Sequence, residues 1–314
     1  MVKSVKDVAF ACEKIMFKGR PKLLKTPLTY NVKTVVHPGH YWHRGIIEPL
    51  HDFVSKTNCD EVLVSFSIDR LPLARSTSNA FWPILCSFNN SPNVVVVGVY
   101  YGKDKLANCN EFLNDFVQEI SPLCADGLEY NGKIVKVRVC CAVCDAPAKS
   151  FVLNTKGHNS YNGYSKCTVK GNYIDHTMSF PCLDAPLRSD ESFKAREQTH
   201  HHNGHTFNDI PYFGPVSNVP LDSLHLTLLG VVRKTMYAWM SGPYKNRLSK
   251  RLIQEVSDLF ILLSAWTPSE FARRPRSLKY IKRFKATKYR QILLYTVIVA
   301  FSRSIREDLF DHFV

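Results

Sequence analysis

The sequence predicts an α/β fold built on a mixed sheet, in the order β-β-β-α-β-α, with a mainly helical insertion before the last helix. The first sign is the stretch from Asp60 to Arg70 (DEVLVSFSIDR), in which apolar residues alternate with small or polar ones. The second is a longer run of the same kind, 133–144 (KIVKVRVCCAVC). The third is a helical pattern between them, 110–123. Period two is typical of a strand with one buried face, and a period near 3.6 is typical of an amphipathic helix.

The other strands of the predicted sheet lie between the first run and the helix. They are 81–88 (FWPILCSF) and 94–101 (VVVVGVYY). An Ala-Pro-Ala sequence after the fourth strand predicts a further helix start. The order strand, strand, strand, helix, strand, helix is that of a ribonuclease-H-like (RNase-H-like) fold, in which the first and fourth strands each deliver a metal-binding Asp.

An acid follows each of these two strands directly, Asp69 after the first and Asp145 after the fourth. On neighbouring central strands, the two carboxylates would share divalent metal ions, as two-metal phosphoryl transfer requires. An Asp after a strand is also a common turn residue, because its side chain bonds nearby backbone N–H groups. For either Asp alone the turn interpretation is the stronger one. The pair, on the first and fourth strands, favours a site for Mg²⁺ or Mn²⁺.

Residues 1–59 form a mixed flanking segment to which we assign no chemistry. Its patterns predict a short helix over 9–16, an edge strand over 30–36 and a helix over 41–54. The segment holds several histidines without paired cysteines, so these are interpreted as surface or core histidines and not as metal ligands.

The charge of the chain indicates a polyanionic partner. There are 41 Lys and Arg against 27 Asp and Glu, and thirteen of the cations fall in 244–290 against three acids. A solvated helical face is one interpretation, but aromatic residues lie between the charges, which favours a surface for nucleic-acid phosphates. The candidate DNA-binding residues are Lys245, Arg247, Lys250, Arg251, Arg273, Arg274, Arg276, Lys279, Lys282, Arg283 and Lys285.

The ten cysteines have no regular extracellular spacing, and the N-terminus lacks a hydrophobic secretion segment. We therefore predict a reduced intracellular protein. Cys140, Cys141 and Cys144 lie within the fourth strand and are predicted to be buried as small apolar residues. The apolar run 293–301 is too short to span a membrane, so it is predicted to be a core helix, and no membrane partner is expected.

Two histidine-containing loops follow the predicted core. The Gly/Asn-rich stretch 156–170 contains His158 and a lone Cys167, which make a weak zinc site because further thiol or imidazole ligands are missing nearby. The stretch 199–205 (THHHNGH) is interpreted as a flexible polar loop.

Asp222 and His225 stand three residues apart at the start of a predicted helix after Pro220, on the same side of its first turn. An Asp at this position is usually a cap. Alternatively, Asp222 holds His225, which then presents its other nitrogen to a phosphate or a metal.

Two more helices are predicted, over 244–266 and 285–302, and a basic connection containing Glu270 separates them. The predicted organisation is a core over 60–157, an insertion over 158–284, and a last helix within 285–314 that returns to the sheet. The chain ends soon after that helix, which is expected of a truncated copy or a fragment.

Together these segments resemble the transposase region of EnSpm/CACTA-like (CMC) cut-and-paste DNA transposons, in the animal version. The resemblance covers about three-quarters of the chain, and its segments occur in the family's order. They are SFSIDRLPLARSTSNAFWPIL (65–85), CDAPAKSFVLNTKGHNSYNGYSKCTVKG (144–171), APLRSDESF (185–193), PLDSLHLTLLGVVRKTMYAWMSGP (220–243) and PSEFARRPRSLKYIKRFKATKYRQILLY (268–295).

The resemblance implies an RNase-H-like DDE/D nuclease domain interrupted by an insertion. Asp69 and Asp145 match the family's first two acids, and Asp222 and His225 match its Asp-x-x-His motif. The resemblance therefore implies a nuclear protein that binds transposon ends or genomic DNA. If it is active, it is expected to use Mg²⁺ and to form a homo-oligomer.

Two positions depart from the family pattern. Tyr164 replaces the first of two cysteines in the segment GYSKC. Lys288 stands where the family carries an acid, a candidate third metal ligand, and a positive charge there opposes two-metal catalysis. Glu270 is the nearest alternative, although it is equally expected as an acid in the first turn of a helix.

Three hypotheses follow. The first is a metal-dependent DNA transposase that cleaves phosphodiesters and transfers strands. The second is an inactive copy that acts as a DNA-binding or interaction module. The third, ranked lower, is an RNase-H-like nuclease acting on RNA or RNA–DNA hybrids.

Overall fold

The computed structural model contains two compact units, Met1–Leu221 and Asp222–Val314. The predicted helix over 9–16 lies outside the described residues, as does nearly all of the predicted edge strand over 30–36. The structure describes residues 36, 38–73, 78–103, 106, 108–204, 210–245, 247–271, 273–302, 305, 307 and 310.

The first unit is an α/β structure whose described residues form a mixed sheet of seven strands, which confirms the α/β, mixed-sheet part of the predicted fold class, while the RNase-H-like topology stays a prediction. The strands pair in the order β1-β5-β4-β2-β7-β6, and β3 pairs with β4 beside this path. Only β2 and β7 are parallel among these pairs of the described sheet. The strands are β1 His40–His43, β2 Glu61–Ile68, β3 Leu71–Pro72, β4 Ala80–Phe88, β5 Val95–Gly102, β6 Leu128–Tyr130 and β7 Lys133–Cys144.

The alternation of buried and more exposed residues that the sequence predicts is present in β2. Val64 and Phe66 are almost completely buried, whereas Leu63 between the buried positions is 38% exposed. Strand β4 lies between β5 and β2, and its two faces contribute to two different apolar clusters. Side chains of a strand point alternately to the two faces of its sheet, so both faces of β4 are covered.

Three helices complete the main core: α1 Ile47–Thr57, α2 Cys109–Asp126 and α3 Ala146–Val152. Helix α2 packs on the sheet through Phe116, whose ring lies 5.2 Å from that of Phe66. It begins at an Asn108 cap, whose side chain accepts a hydrogen bond from the Asn110 N–H. Helix α3 begins directly after β7, with Asp145 as its N-cap.

Residues up to 221 also pack within the first unit. They include the hairpin β8 Asn172–Ile174 and β9 Thr177–Ser179 and the short helix α4 Asp190–Lys194. A bulge in β7 leaves Cys140 between two registered pairs, and its carbonyl accepts a hydrogen bond from Asn218 Nδ2. The Asp190 carboxylate accepts hydrogen bonds from the Val216 and Ser217 N–H groups. The bond from Asn218 anchors residues 216–218 to β7, and the bonds to Asp190 connect the same residues to α4.

The second unit is helical around its own apolar core. A π-helical segment, Leu224–Val232, continues into α5 Arg233–Ser241 and is followed by α6 Lys250–Ala265. A 3-10 helix, Leu278–Arg283, precedes α7 Ala286–Gln291, a second π-helical segment Ile292–Thr296, and α8 Val297–Phe301.

Both helices predicted for this region are present, with narrower bounds than predicted and with a π-helical turn inside the second. The predicted division into core, insertion and returning helix stays a prediction. In none of the described helices is there an apolar stretch long enough to cross a membrane.

Candidate functional site

Asp69 and Asp145 lie at matching ends of two adjacent parallel strands. The last registered pair of β2 and β7 joins Ile68 to Cys144, so each Asp is the next residue along its strand direction. Parallel pairing places both carboxyl ends at the same edge of the sheet. The predicted adjacency of the two strands is therefore confirmed, whereas a shared metal site of the two acids and their catalytic role stay predictions.

Each carboxylate also bonds local backbone. Asp69 Oδ1 accepts a hydrogen bond of 2.7 Å from the Arg70 N–H, and Asp145 Oδ1 accepts one of 2.7 Å from the Ala148 N–H. The second bond is a helix N-cap. Both side chains are half-buried. The local backbone bonding expected of a turn residue is thus present at both positions, at Asp145 as a helix N-cap, and a carboxylate with two oxygens can combine such a role with metal binding.

The charges at this edge act on a common thiol, that of Cys144. Burial is the main cause that raises the pKa of this thiol to about 12. The Ile68 N–H lowers the pKa, Asp145 raises it, the Lys149 ammonium lowers it, and Asp69 raises it. The pKa of the Cys144 thiol therefore responds to the charges of both carboxylates and of the Lys149 ammonium.

Lys149 is not among the site residues predicted from the sequence. It lies four residues after Asp145 in α3 and is only 8% exposed. The available signal was the spacing, because residues four apart on a helix share a face.

The carboxylate oxygens of Asp69 and Asp145 are ligands of the type that Mg²⁺ and Mn²⁺ bind. These hard cations take carboxylate oxygens, and Mg²⁺ is commonly held by one or two carboxylates together with water and substrate phosphates. Across the described part of the chain, no group of three or more His, Cys, Asp or Glu is arranged to hold a metal ion. Asp69 and Asp145 would thus hold such a cation as a pair, and the bound phosphate would complete the ligand set.

Asp222 and His225 contact each other, as predicted by the interpretation in which Asp222 holds His225. Asp222 Oδ2 contacts His225 Nδ1, and Asp222 Oδ1 accepts a hydrogen bond of 2.8 Å from the Leu224 N–H. The His225 side chain is 49% exposed. Asp222 thus contacts the imidazole and also bonds the first turn of the π-helical segment, while the presentation of the other His225 nitrogen to a phosphate or a metal stays a prediction.

Glu270 and Lys288 have contrasting environments. Glu270 is exposed in a turn after Pro268, and the Ser269 hydroxyl donates to it at 3.4 Å. Lys288 is only 6% exposed in the first turn of α7. Asp222, His225, Glu270 and Lys288 all belong to the second unit. Their participation in one site with Asp69 and Asp145 stays a prediction.

The candidate DNA-binding cations are all exposed, from Lys245 at one end to Lys285 at the other. One of them is in an ion pair, Arg251 with Glu255 at 2.8 Å, while Arg247 lies 4.2 Å over the Tyr244 ring. They extend from the chain before α6 to the start of α7. A mostly unpaired basic surface with aromatic residues suits phosphate and base contacts.

Two histidines of the stretch 199–205 differ from their prediction. His201 and His202 are 1% and 6% exposed, so the prediction of a flexible polar loop is wrong for these two residues. Phe193 packs on His202 with a ring distance of 4.6 Å, and His201 Nδ1 donates to the Asn162 carbonyl at 2.7 Å. Burial lowers the pKa of His201 to about 4, so it is neutral near pH 7.

The weak zinc interpretation gains no support from the described residues. Cys167 is buried and pairs through its backbone with Leu187, whereas His158 is exposed. No arrangement of three ligands includes them in the part of the chain that the structure covers.

A scan against protein-family models and a search of curated proteins both give no match to this chain.

Proposed function

We propose that this chain is an RNase-H-like, transposon-derived DNA-binding protein of the DDE/D type, acting in the nucleus. The strand order and directions support the fold. Strands β5, β4 and β2 form an antiparallel meander, and β7 returns parallel to β2 after a crossover through α2. This is the arrangement expected of the RNase-H-like class from the order of its elements.

The observation that carries the proposal is the register of β2 and β7, which brings Asp69 and Asp145 to one edge of the sheet. There the two residues would bind Mg²⁺ or Mn²⁺, which supplies activation of water or of a 3′-hydroxyl and stabilisation of the leaving oxygen. The protein's own contribution is to position the two carboxylates through a central pair of strands.

The DNA-binding part of the proposal is supported by the basic residues of the second unit. Eleven exposed cations would neutralise DNA phosphates, which predicts an affinity that falls steeply with salt. The Asp222–His225 pair lies in the same unit, and its exposed imidazole offers a further polar contact to a phosphate.

The test combines binding and cleavage. Binding to duplex DNA is measured by fluorescence anisotropy at several salt concentrations, and nicking of supercoiled plasmid is measured with Mg²⁺ or Mn²⁺. We expect Asp69→Asn and Asp145→Asn to reduce nicking at least about a hundredfold, since even outer-shell partners of metal ligands contribute 10- to 100-fold. DNA affinity should stay within about twofold, because neither residue belongs to the basic surface. Absence of salt-dependent DNA binding by the parent chain would refute the proposal.

A second candidate function is DNA binding without cleavage. Two observations favour it: no third carboxylate accompanies the Asp pair among the described residues, and a buried Lys288 occupies the position where an acid is expected. Under this alternative the parent chain binds DNA with the same salt dependence but does not nick plasmid in either metal. The same two assays therefore separate the two functions.

A further inference from the structure

A cavity of about 530 Å³ lies in the first unit between the start of α2 and the end of α3. Five residues of these two helices line it: Asn108, Cys109, Asn110, Ser150 and Phe151. The rings of Phe112 and Phe151 lie 6.3 Å apart and connect the two helices beside the cavity. Its volume is within the range of about 300–1,000 Å³ that is usual for small-molecule and cofactor sites.

Two loop segments complete the lining of the cavity through Asn154, Thr155 and Asn203. The Asn203 N–H donates to the Asn154 carbonyl at 2.9 Å, and Asn203 Nδ2 donates to the Thr155 carbonyl at 2.7 Å. Thr155 also pairs with His202 in an antiparallel bridge, and both residues are buried. This part of the lining is therefore held in place by hydrogen bonds between the two segments.

The lining is polar but carries no charge. Among the described residues, no Lys, Arg, Asp or Glu lines the cavity, whereas four of the lining side chains are carboxamides. A carboxamide has two N–H donors and an oxygen with two lone pairs, so its bonds to nearby groups leave capacity for a ligand. The half-buried ring of Phe151 adds an aromatic surface. This lining favours a neutral, flat group with donors and acceptors, such as a nucleobase, over a phosphate or a carboxylate.

The cavity is close to the sheet edge that carries the two acids. Strands β5 and β2 are both antiparallel to β4, so β5 ends at Gly102 on the same edge as Asp69 and Asp145, and α2 follows β5 in the chain. Ser150 Oγ donates to the carbonyl of Ala146, the residue after Asp145, at 2.9 Å. The helical rise from Asp145 to Ser150 is about 7.5 Å, roughly two of the steps of about 3.4 Å between nucleotides of a duplex strand.

We propose that this cavity binds one unpaired nucleobase of the DNA strand whose phosphate is held at Asp69 and Asp145. The inference deepens the proposed function, on which it rests for the source of the ligand. The carboxamides of Asn110 and Asn203 bond the edge of the base, as Asn does with adenine through one donor and one acceptor. The base stacks on Phe151. A base inside a duplex is paired and stacked, so the cavity accepts only a base that has left the helix.

The first experiment uses deoxyadenosine, an uncharged nucleoside, as the probe. Its binding to the whole chain is titrated by saturation-transfer difference NMR, with 2-deoxyribose measured alongside. We expect Asn110→Ala and Asn203→Ala each to weaken the affinity for deoxyadenosine at least about tenfold, since each variant loses a donor and an acceptor to the base. Both side chains are exposed, so both variants are expected to fold, and circular dichroism checks this.

Asn114→Ala is the matched control for the nucleoside titration. Asn114 is an exposed asparagine of α2, one turn after Asn110, and does not line the cavity. This variant should bind deoxyadenosine as the parent chain does. Equal affinities of the parent and all three variants would overturn the proposal, as would a parent chain that does not bind deoxyadenosine. Binding of 2-deoxyribose as strong as that of the nucleoside would assign the cavity to a sugar and would also overturn it.

The second experiment separates this inference from the proposed function. Fluorescence anisotropy compares two 20-bp duplexes, one with an extra unpaired adenine and one with an abasic residue in its place. The parent chain should prefer the adenine duplex at least about fivefold, the lower end of the contribution of one stacked base. Asn203→Ala should lose this preference and keep the salt dependence of binding, because no cation is changed.

The outcomes of the two experiments differ for the two ideas. Salt-dependent binding of both duplexes with equal affinity by the parent chain refutes the nucleobase cavity and leaves DNA binding in place. Binding of deoxyadenosine through Asn110 and Asn203, with no binding of either duplex, refutes the proposed function and leaves a nucleobase cavity.

Discussion

Phe66→Ala is expected to lower the free energy of unfolding by about 3–5 kcal/mol. Phe66 is 1% exposed in β2, and its ring lies 5.2 Å from that of Phe116 in α2 and 6.1 Å from that of Phe213. It therefore joins three parts of the first unit: the central strand, the crossover helix and the segment that follows α4. Removing the ring leaves a cavity where these parts meet, and a close-packed core closes such a cavity only in part.

Urea unfolding followed by far-UV circular dichroism measures this effect. Leu63→Ala is the matched control, since Leu63 lies in the same strand and is 38% exposed. Its expected cost is below about 1 kcal/mol. Similar losses for the two variants would contradict the burial pattern of β2 and, with it, the placement of the sheet's main core.

Lys288→Met is expected to raise the free energy of unfolding at pH 7, by about 1–2 kcal/mol after allowance for solvent screening. The pKa of Lys288 is lowered to about 8 in the folded protein, from its ordinary value of 10.5, by burial and by Arg276 and Arg273. Between these two values the unfolded chain binds the proton and the folded chain does not. Stability of the parent chain therefore rises as pH increases through this window.

The gain from Lys288→Met should be complete below about pH 8 and should vanish above about pH 10.5, where the lysine is neutral in both states. Urea unfolding at pH 7, 9 and 10.5, without phosphate, measures it. Lys234→Met serves as the exposed control and should give no pH-dependent difference. A Lys288→Met variant less stable than the parent at pH 7 would indicate that a counter-charge accompanies this ammonium.

The local elements of the sheet follow from the sequence. The predicted strand 133–144 coincides with Lys133–Cys144, and the predicted strand within 60–70 contains Glu61–Ile68. The predicted helix over 110–123 lies within Cys109–Asp126. These segments could be predicted because alternation and helical periodicity are local properties, set by which face of an element is buried.

Short elements were not predicted. Strand β3 has two residues and β6 has three, which are too few to show a periodic pattern in the sequence. The two π-helical segments also carry no distinct pattern, because one widened turn changes the phase of a helical stripe without changing its composition. His201 and His202 pack against the Phe193 ring, eight and nine residues earlier in the chain, and no helical or strand period links these positions.

By itself the sequence determined the strands that end at Asp69 and Asp145, the helix between them and the basic character of 244–290, since each follows from residue type and spacing along the chain. The tertiary structure alone decided that β2 and β7 pair in parallel with Ile68 opposite Cys144, and that Lys149 and Lys288 are buried. The reason is physical: pairing and burial join residues far apart in sequence, and their energies depend on which surfaces meet when the chain folds.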